Sequence, residues 1–367
     1  QLNRPSYPDI DGRDSFKGPS WHSARWNHEE NIEGKNIAVI GTGCSAIQFI
    51  PRVAEEAAST TIFQRTPNWL MPRPQYQKEL PQNLLWCFDH IPFYNNWFRL
   101  HLFWRSHEGL LPRLEVDPEW DGNEDNSVSA SNHELGFMLR LYLESEFNDD
   151  PELLEKVTPR YTMGAKRFVI DDGLWATTLK RPDVTLCTDH IAEITETGLL
   201  TEDGTLYEAE AIIYGTGFKA SEFLTPMKIV GRGGIDLHEQ WDGVAQAYLG
   251  IVSPNFPNLF FMYGPNTNIV INGSIIYFSE CEAHYISRYI QYLLENDITA
   301  LDVKKEVHDE YNVRIDEGNS QMAWGASSVN SWYKNPHGKI TQNWPFSLLE
   351  YWQQTREINP NDYIELE

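Results

Sequence analysis

A short apolar run ending in a glycine turn constrains this chain more than any other feature. Asn36-Ile37-Ala38-Val39-Ile40 is apolar and partly β-branched, the pattern of a buried parallel strand, and it runs straight into Gly41-Thr42-Gly43-Cys44-Ser45-Ala46. In such a GxGxxA turn the first glycine allows the tight bend and the second lets the backbone approach a pyrophosphate. The small third residue lets helix and strand pack closely, and the phosphates sit on the helix N-terminus. Ala46, Ile47, Phe49, Ile50, Val53, Ala54 and Ala57 follow at helical spacing, with Pro51 expected to kink that helix. Thr60-Thr61-Ile62-Phe63-Gln64 reads as the next strand. At its end an NAD site would place an Asp or Glu for the ribose 2′-hydroxyl, but here the chain has Gln64-Arg65-Thr66. A guanidinium suits a 2′-phosphate through charge-assisted, often bidentate hydrogen bonds. The spacing therefore predicts an NADP(H) site formed by Gly41, Thr42, Gly43, Cys44, Ser45, Ala46, Arg65 and Thr66.

Charge and cysteine usage narrow the class. A formal net charge of -24 argues against nucleic acid, which needs a basic surface. Cys44, Cys87, Cys187 and Cys281 are scattered without metal-ligand spacing, so no metal is expected. Free thiols point to a reducing, cytoplasmic setting. No apolar run reaches membrane-spanning length and no signal-peptide pattern is found. Asn272-Gly273-Ser274 matches a glycosylation sequon and is read as chance.

Along the chain, residues 1–34 are punctuated by Pro and Gly and read as an extended linker. Residues 71–159 read as a helical insert, aromatic in Leu84–Phe88 and Trp97–Trp104, with an exposed acidic loop from Asp117 to Asn132 and helices over Leu135–Leu143 and Pro151–Val157. A membrane-surface helix would want a Lys/Arg-rich polar face, and only Arg99 and Arg105 qualify in the second run. Lys166-Arg167 follows Gly164; spacing permits a second phosphate contact, and equally a solvated charge run. Val184-Thr185-Leu186, Ala211–Tyr214 and Asn258–Tyr263 read as strands, with a hairpin around Gly198 and Gly204, and Ile276–Leu294 as a helix.

Phe16-x-Gly18-x-x-x-His22-x-x-x-Trp26 is, by spacing alone, also compatible with a loop holding a buried aromatic pair. It resembles the fingerprint of the Baeyer–Villiger monooxygenases, which lies on the linker before the second glycine turn, as it does here. Asn27 stands where relatives usually have Pro or Asp. The resemblance extends to Gly215-Thr216-Gly217-Phe218, similar to the Ala-Thr-Gly-Phe/Tyr element that returns to the FAD domain, and to the loop Gly264-Pro265-Asn266-Thr267-Asn268. Relatives carry His-Gly-Gly-Ser after that loop, and this chain has Asn272-Gly273-Ser274 without the His. Ser331–Lys339 and Asn343-Trp344-Pro345 resemble the C-terminal signature of the 4-hydroxyacetophenone monooxygenase branch.

That resemblance implies an α/β, two-dinucleotide-binding-domain flavoprotein architecture. Its parts would be the fingerprint linker 1–34, a Rossmann-like NADP domain over 35–70 and 160–216, the insert 71–159, and the C-terminal portion of an FAD and substrate domain over 217–367. It implies that Lys166 reaches the NADP 2′-phosphate and that Arg167 is the catalytic cation beside the flavin. Gly215, Thr216, Gly217, Asn266, Thr267 and Asn268 become FAD-binding candidates, and Trp332 either walls the substrate pocket or is structural. The implied reaction inserts one oxygen atom from O2 next to a ketone carbonyl, giving an ester or lactone. Alternatives are a flavin monooxygenase acting on N or S, and a catalytically silent NADP-binding chain. Only one strand–glycine turn–helix unit occurs in the sequence, since Gly231-Arg232-Gly233-Gly234 does not open a convincing helix. The FAD domain's founding unit is thus expected to be absent from this chain, which would be a fragment or a shortened member.

Overall fold

Five short strands, all parallel, form the sheet that positions the site. A computed structural model describes residues 2–74, 76–106, 108–122, 126–271 and 273–366, so Gln1 and the sequon residue Asn272 lie outside the described residues. The strand order is Ser20–His22, Ala211–Tyr214, Asn36–Ile40, Ser59–Phe63, Val184–Cys187. Asn36–Ile40 is central, and the chain leaves it toward one edge and later returns to the other. Such a switch point is where open parallel sheets bind ligands, at the C-terminal ends of the strands.

Alternation sorts the side chains of the central strand. Ile37 and Val39 face the helices Cys44–Glu56 and Leu174–Leu179, while Ala38 and Ile40 face a meander of three strands, Ile191–Ile194, Gly198–Thr201 and Leu206–Glu208. The helix after the glycine turn runs unbroken through Pro51. A mid-helix proline costs about 3 kcal/mol. Burial of Ile47, Ile50 and Val53 contributes roughly 1.5–3 kcal/mol each, which outweighs it.

Residues 71–159 hold the helices Gln82–His90, Tyr94–Ser106, Ala130–Phe147 and Pro151–Val157, as the aromatic and apolar spacing predicts. The expected exposed loop from Asp117 to Asn132 needs a correction at its end. Ser127, Ser129 and Asn132 are buried, and Ser129 caps the helix that begins at Ala130 by accepting from Asn132 N. Asn132 Nδ2 in turn donates to Arg113 O and Met163 O.

Two further expectations are overturned. Ser20–His22, read as linker, is an edge strand pairing in register with Ala211–Tyr214. Asn258–Tyr263, read as a strand, is irregular, because its donors go elsewhere. Phe261 N bonds to Ile251 O, and Tyr263 N donates to the Glu282 carboxylate at 3.0 Å. The C-terminal portion is otherwise helical, built on Ile275–Asn296, Lys305–Ser320 and Leu348–Thr355, with a two-stranded antiparallel ribbon of Ala300–Val303 and Tyr363–Leu366. No helix among the described residues is long and apolar enough to cross a membrane.

Candidate active site at the glycine turn

Gly41 has φ +102°, a region that side chains rarely adopt, and a Cβ there would lie 2.6 Å from Gly215 O. Gly215 answers it from the adjacent strand end, where a Cβ would sit 2.9 Å from the Ala46 methyl. Gly215 N donates to Ile40 O at 2.8 Å. Gly41, Ala46 and Gly215 are therefore small for one shared reason, the close crossing of two strand ends and a helix start. Gly43 is different. It caps the helix without a side-chain hydrogen bond, and a Cβ there would meet nothing within 4 Å. Open space thus lies before amides that have no intrahelical partner, a cradle suited to a pyrophosphate. Thr42 is buried and its carbonyl takes Asn68 Nδ2 at 2.5 Å, while Ser45 is exposed.

Two cations stand beside this cradle. Arg65 is exposed at the end of its strand, with Thr66 half-buried after it. Lys166 lies 5.0 Å over the Tyr161 ring and forms no ion pair among the described residues. Burial first, and the Arg65 guanidinium second, push the Lys166 ammonium down to about 8. A pair of like charges near enough to disturb each other, with no ion pair to either among the described residues, favours an anion beside it.

Arg167 takes the other direction. Its guanidinium donates to Ile269 O at 3.0 Å, tying the segment after Gly164 to the end of the Gly264–Asn268 loop. Cys44 Sγ, at the helix start, lies 3.9 Å from Phe168 O. Burial pushes the Cys44 thiol up, and the Arg167 charge pulls it partly back, so the cation stands close to the turn as well. Tyr161, Tyr263 and Tyr333 complete the surroundings; burial raises all three, and Arg167 opposes the rise at Tyr263 and Tyr333. Trp332 is half-buried against Tyr333, ring centroids 4.8 Å apart, on the cluster that holds Met163, Ala165 and Phe168.

The structure gathers Gly41–Ala46, Arg65, Lys166, Arg167 and Gly215 in one region. It treats Asn266, Thr267 and Asn268 otherwise: their side chains are buried and have protein partners. Asn266 Nδ2 donates to Ile340 O and Asn343 O, Thr267 Oγ1 to Gly264 O, and Asn268 Nδ2 to Asn343 Oδ1. Thr216 Oγ1 goes to Ser6 O, and Gly217 O accepts from Ser6 N. The fingerprint residues act as fasteners. A Cβ at Gly18 would lie 2.8 Å from the Phe16 ring, so the glycine lets that ring lie flat. His22 is fully buried beside Tyr7 and Phe218, and burial holds its imidazole below the usual range. Its Nδ1 accepts from Ala24 N. Trp26 packs on Phe49 of the helix at 5.4 Å. A cleft of about 550 Å³ beside Trp26, Phe49 and Arg52 opens along the C-terminal half of that helix, away from the cations.

Tyr161 was missed in the sequence, and Tyr333 and Asn343 stand there only inside a C-terminal signature, without the role the structure gives Asn343, whose Oδ1 and carbonyl hold the Gly264–Asn268 loop. A lone Asn in a C-terminal run carries no periodic signal, and its partners lie some 75 residues away.

The described residues fit NADP(H): one cradle, two unpaired cations. They do not fit the diphosphate of FAD, for which no second strand–glycine turn–helix cradle occurs among them. The parallel sheet and the glycine turn at its switch point define a Rossmann-like dinucleotide-binding fold. A family described as flavin-binding monooxygenase-like matches residues 1–100. The chain is 32% identical over 365 residues to a Baeyer–Villiger monooxygenase of Streptomyces coelicolor, covering 99% of this chain and 67% of that protein. It is 36% identical over 368 residues to an FAD-binding monooxygenase of Aspergillus niger, covering 99% of this chain and 58% of that one. A steroid monooxygenase bound to NADP superposes with a TM-score of 0.80 at 25% identity, over 100% of this chain and 73% of that one. The chain belongs to the flavin-binding monooxygenase family that includes the Baeyer–Villiger enzymes, and it spans between half and two thirds of the length of several curated relatives it matches.

Proposed function

We propose that this chain is the NADP(H)-binding and oxygen-transfer portion of an FAD-dependent Baeyer–Villiger monooxygenase, acting on a ketone to give an ester or lactone. One observation carries the reading. Arg65 and Lys166 lie within electrostatic reach of each other in the region of an open helix start and form no ion pair among the described residues, and Arg167, one residue on, bonds to Ile269 O while its charge reaches Cys44 at that start. FAD, where bound, would supply the ring that accepts a hydride and activates O2. The residues of this chain do the rest. The amides of Gly43 to Ala46 hold the NADP pyrophosphate, and Arg65 and Lys166 hold the 2′-phosphate. Arg167 presents a fixed positive charge where negative charge develops, the kind of preoriented electrostatic help that stabilises oxyanions. Trp332, half-buried against Tyr333, is the candidate wall of the substrate pocket.

The test is direct. Titrated by fluorescence, the 367-residue chain should bind NADPH more tightly than NADH. With FAD it should fail to hold one flavin per chain, since the doubly anionic diphosphate lacks a cradle and the loops beside Arg167 already bond internally. Retention of one FAD per chain through gel filtration, read from the flavin absorbance, would show that the flavin is held by another route. In a preparation that holds FAD, product analysis with O2, NADPH and a panel of ketones, amines and sulfides decides the substrate class. Oxygenation of only the amines or sulfides would overturn the ketone assignment.

A further inference from the structure

Glu282 is fully buried on the helix Ile275–Asn296, yet no cation faces it among the described residues. The titratable groups around it are Cys281 on its own helix, Tyr263 on the loop and Tyr351 on the helix Leu348–Thr355. All three are neutral near pH 7, since burial raises each. Tyr351 gives its proton to Leu249 O. The Glu282 Oε2 accepts from Tyr263 N at 3.0 Å, and Oε1 has no partner. Thr267 faces the carboxyl too and opposes the rise that burial causes; while its hydroxyl donates to Gly264 O at 2.9 Å, its lone pairs are open to a protonated carboxyl.

The turn that Glu282 touches is strained. Tyr263 and Asn266 have φ 54° and 58°, the left-handed region that side chains disfavour. Just beyond it, Ile269 O receives the Arg167 guanidinium. We propose that Glu282 is a positioning residue, whose buried carboxyl latches the Tyr263–Asn268 turn and so sets the carbonyl to which Arg167 is tied. The latch works in the protonated form: one oxygen accepts from Tyr263 N–H, and the Oε1–H turns toward the Thr267 lone pairs. Burial supports this by lifting the carboxyl to about 7. Above that pH the carboxyl loses its proton to solvent, and a buried charge with no cation beside it, held only by Tyr263 N–H and Thr267, draws water in and opens the turn. The contacts of the latch stand on this geometry, and its pH dependence follows from the burial of the carboxyl. Its consequence for oxygen transfer rests on the function proposed above.

Hydrogen–deuterium exchange of residues 263–269 in the full chain tests the latch. In the unmodified chain, protection of this segment relative to the rest should fall roughly tenfold between about pH 6 and pH 8, following ionisation of one group. Glu282→Gln, which keeps both hydrogen bonds without a titratable proton, should stay protected throughout. Glu282→Ala should lose protection at every pH; if it does not fold, the Gln variant decides alone. An infrared band of a protonated carboxyl should be present at the lower pH, fade on raising it and be missing from Glu282→Gln. A Gln variant with the same pH-dependent exchange as the parent, or a parent whose exchange does not change with pH, overturns the latch. An intact latch in an FAD-bearing enzyme that makes no oxygenated product would count against the function and leave the latch standing.

Discussion

Arg167→Ala is expected to leave nucleotide binding intact and to remove at least about a hundredfold of the rate of product formation in an FAD-bearing preparation. Loss of one preoriented charge or donor at a developing negative charge typically costs roughly 10²–10³ in rate. Two features of the structure separate this residue from its neighbour. The Arg167 guanidinium bonds to Ile269 O, away from the cation pair, whereas Lys166 shares its electrostatic surroundings with Arg65. NADPH oxidation should therefore continue while ester formation fails, so that reducing equivalents are consumed without product. The two rates are read separately, one by NADPH absorbance and one by chromatography of the organic product. Arg167→Lys keeps the charge but loses the planar fork that reaches the carbonyl, and should recover only part of the activity. If the alanine variant makes ester at the parental rate, Arg167 is structural and the proposed oxygen-transfer site is wrong.

What was legible in the sequence shares a property: each feature is local. The run from Asn36 to Ala46 carries its own strand, turn and helix start, and small residues are needed there because Gly41, Ala46 and Gly215 cross within a few ångströms. Arg65 is likewise visible as a residue type at the end of a recognisable strand, whereas the Lys166-Arg167 pair, in the turn before Val169–Asp171, is singled out only by the family resemblance. The Asn258–Tyr263 run shows where such reasoning fails. Its apolar pattern suits a buried strand, but a strand is made by its neighbours, and here the donors are taken by Ile251 O and by a carboxylate on a later helix. The Gly264–Asn268 loop shows a different limit. The resemblance makes its Asn and Thr residues flavin-binding candidates, and the fold bonds their side chains to Ile340, Asn343 and Gly264, which leaves the loop's backbone for such a contact. A polar side chain in a loop reads the same whether it faces a ligand or a distant stretch of its own chain. Only the tertiary partner decides, and Asn343 is that partner.

The nucleotide preference should be carried by two side chains and should depend on pH in a way that identifies one of them. Charge-assisted hydrogen bonds contribute roughly 1.5–3 kcal/mol each, so Arg65→Ala with Lys166→Ala should weaken NADPH binding by about 10²–10⁴. NADH, lacking the 2′-phosphate, should change little. The pH dependence follows from the Lys166 ammonium, which burial and Arg65 hold down to about 8 in the free chain. Bound phosphate favours the charged form, so Lys166 titrates higher in the complex than in the free protein. Affinity for NADPH is then full below about pH 8, and falls as pH rises through it by up to tenfold per unit, because binding must first return a proton to the amine. NADH binding should stay flat over the same interval. Arg65→Ala removes the like charge beside Lys166, so the break in the NADPH profile should move to higher pH even as overall affinity drops. Calorimetric titrations in buffers of different ionisation enthalpy would show the proton uptake directly above pH 8. An NADPH affinity that ignores pH across this range, or an equal loss for both nucleotides in the double variant, would remove Lys166 and Arg65 from the phosphate site.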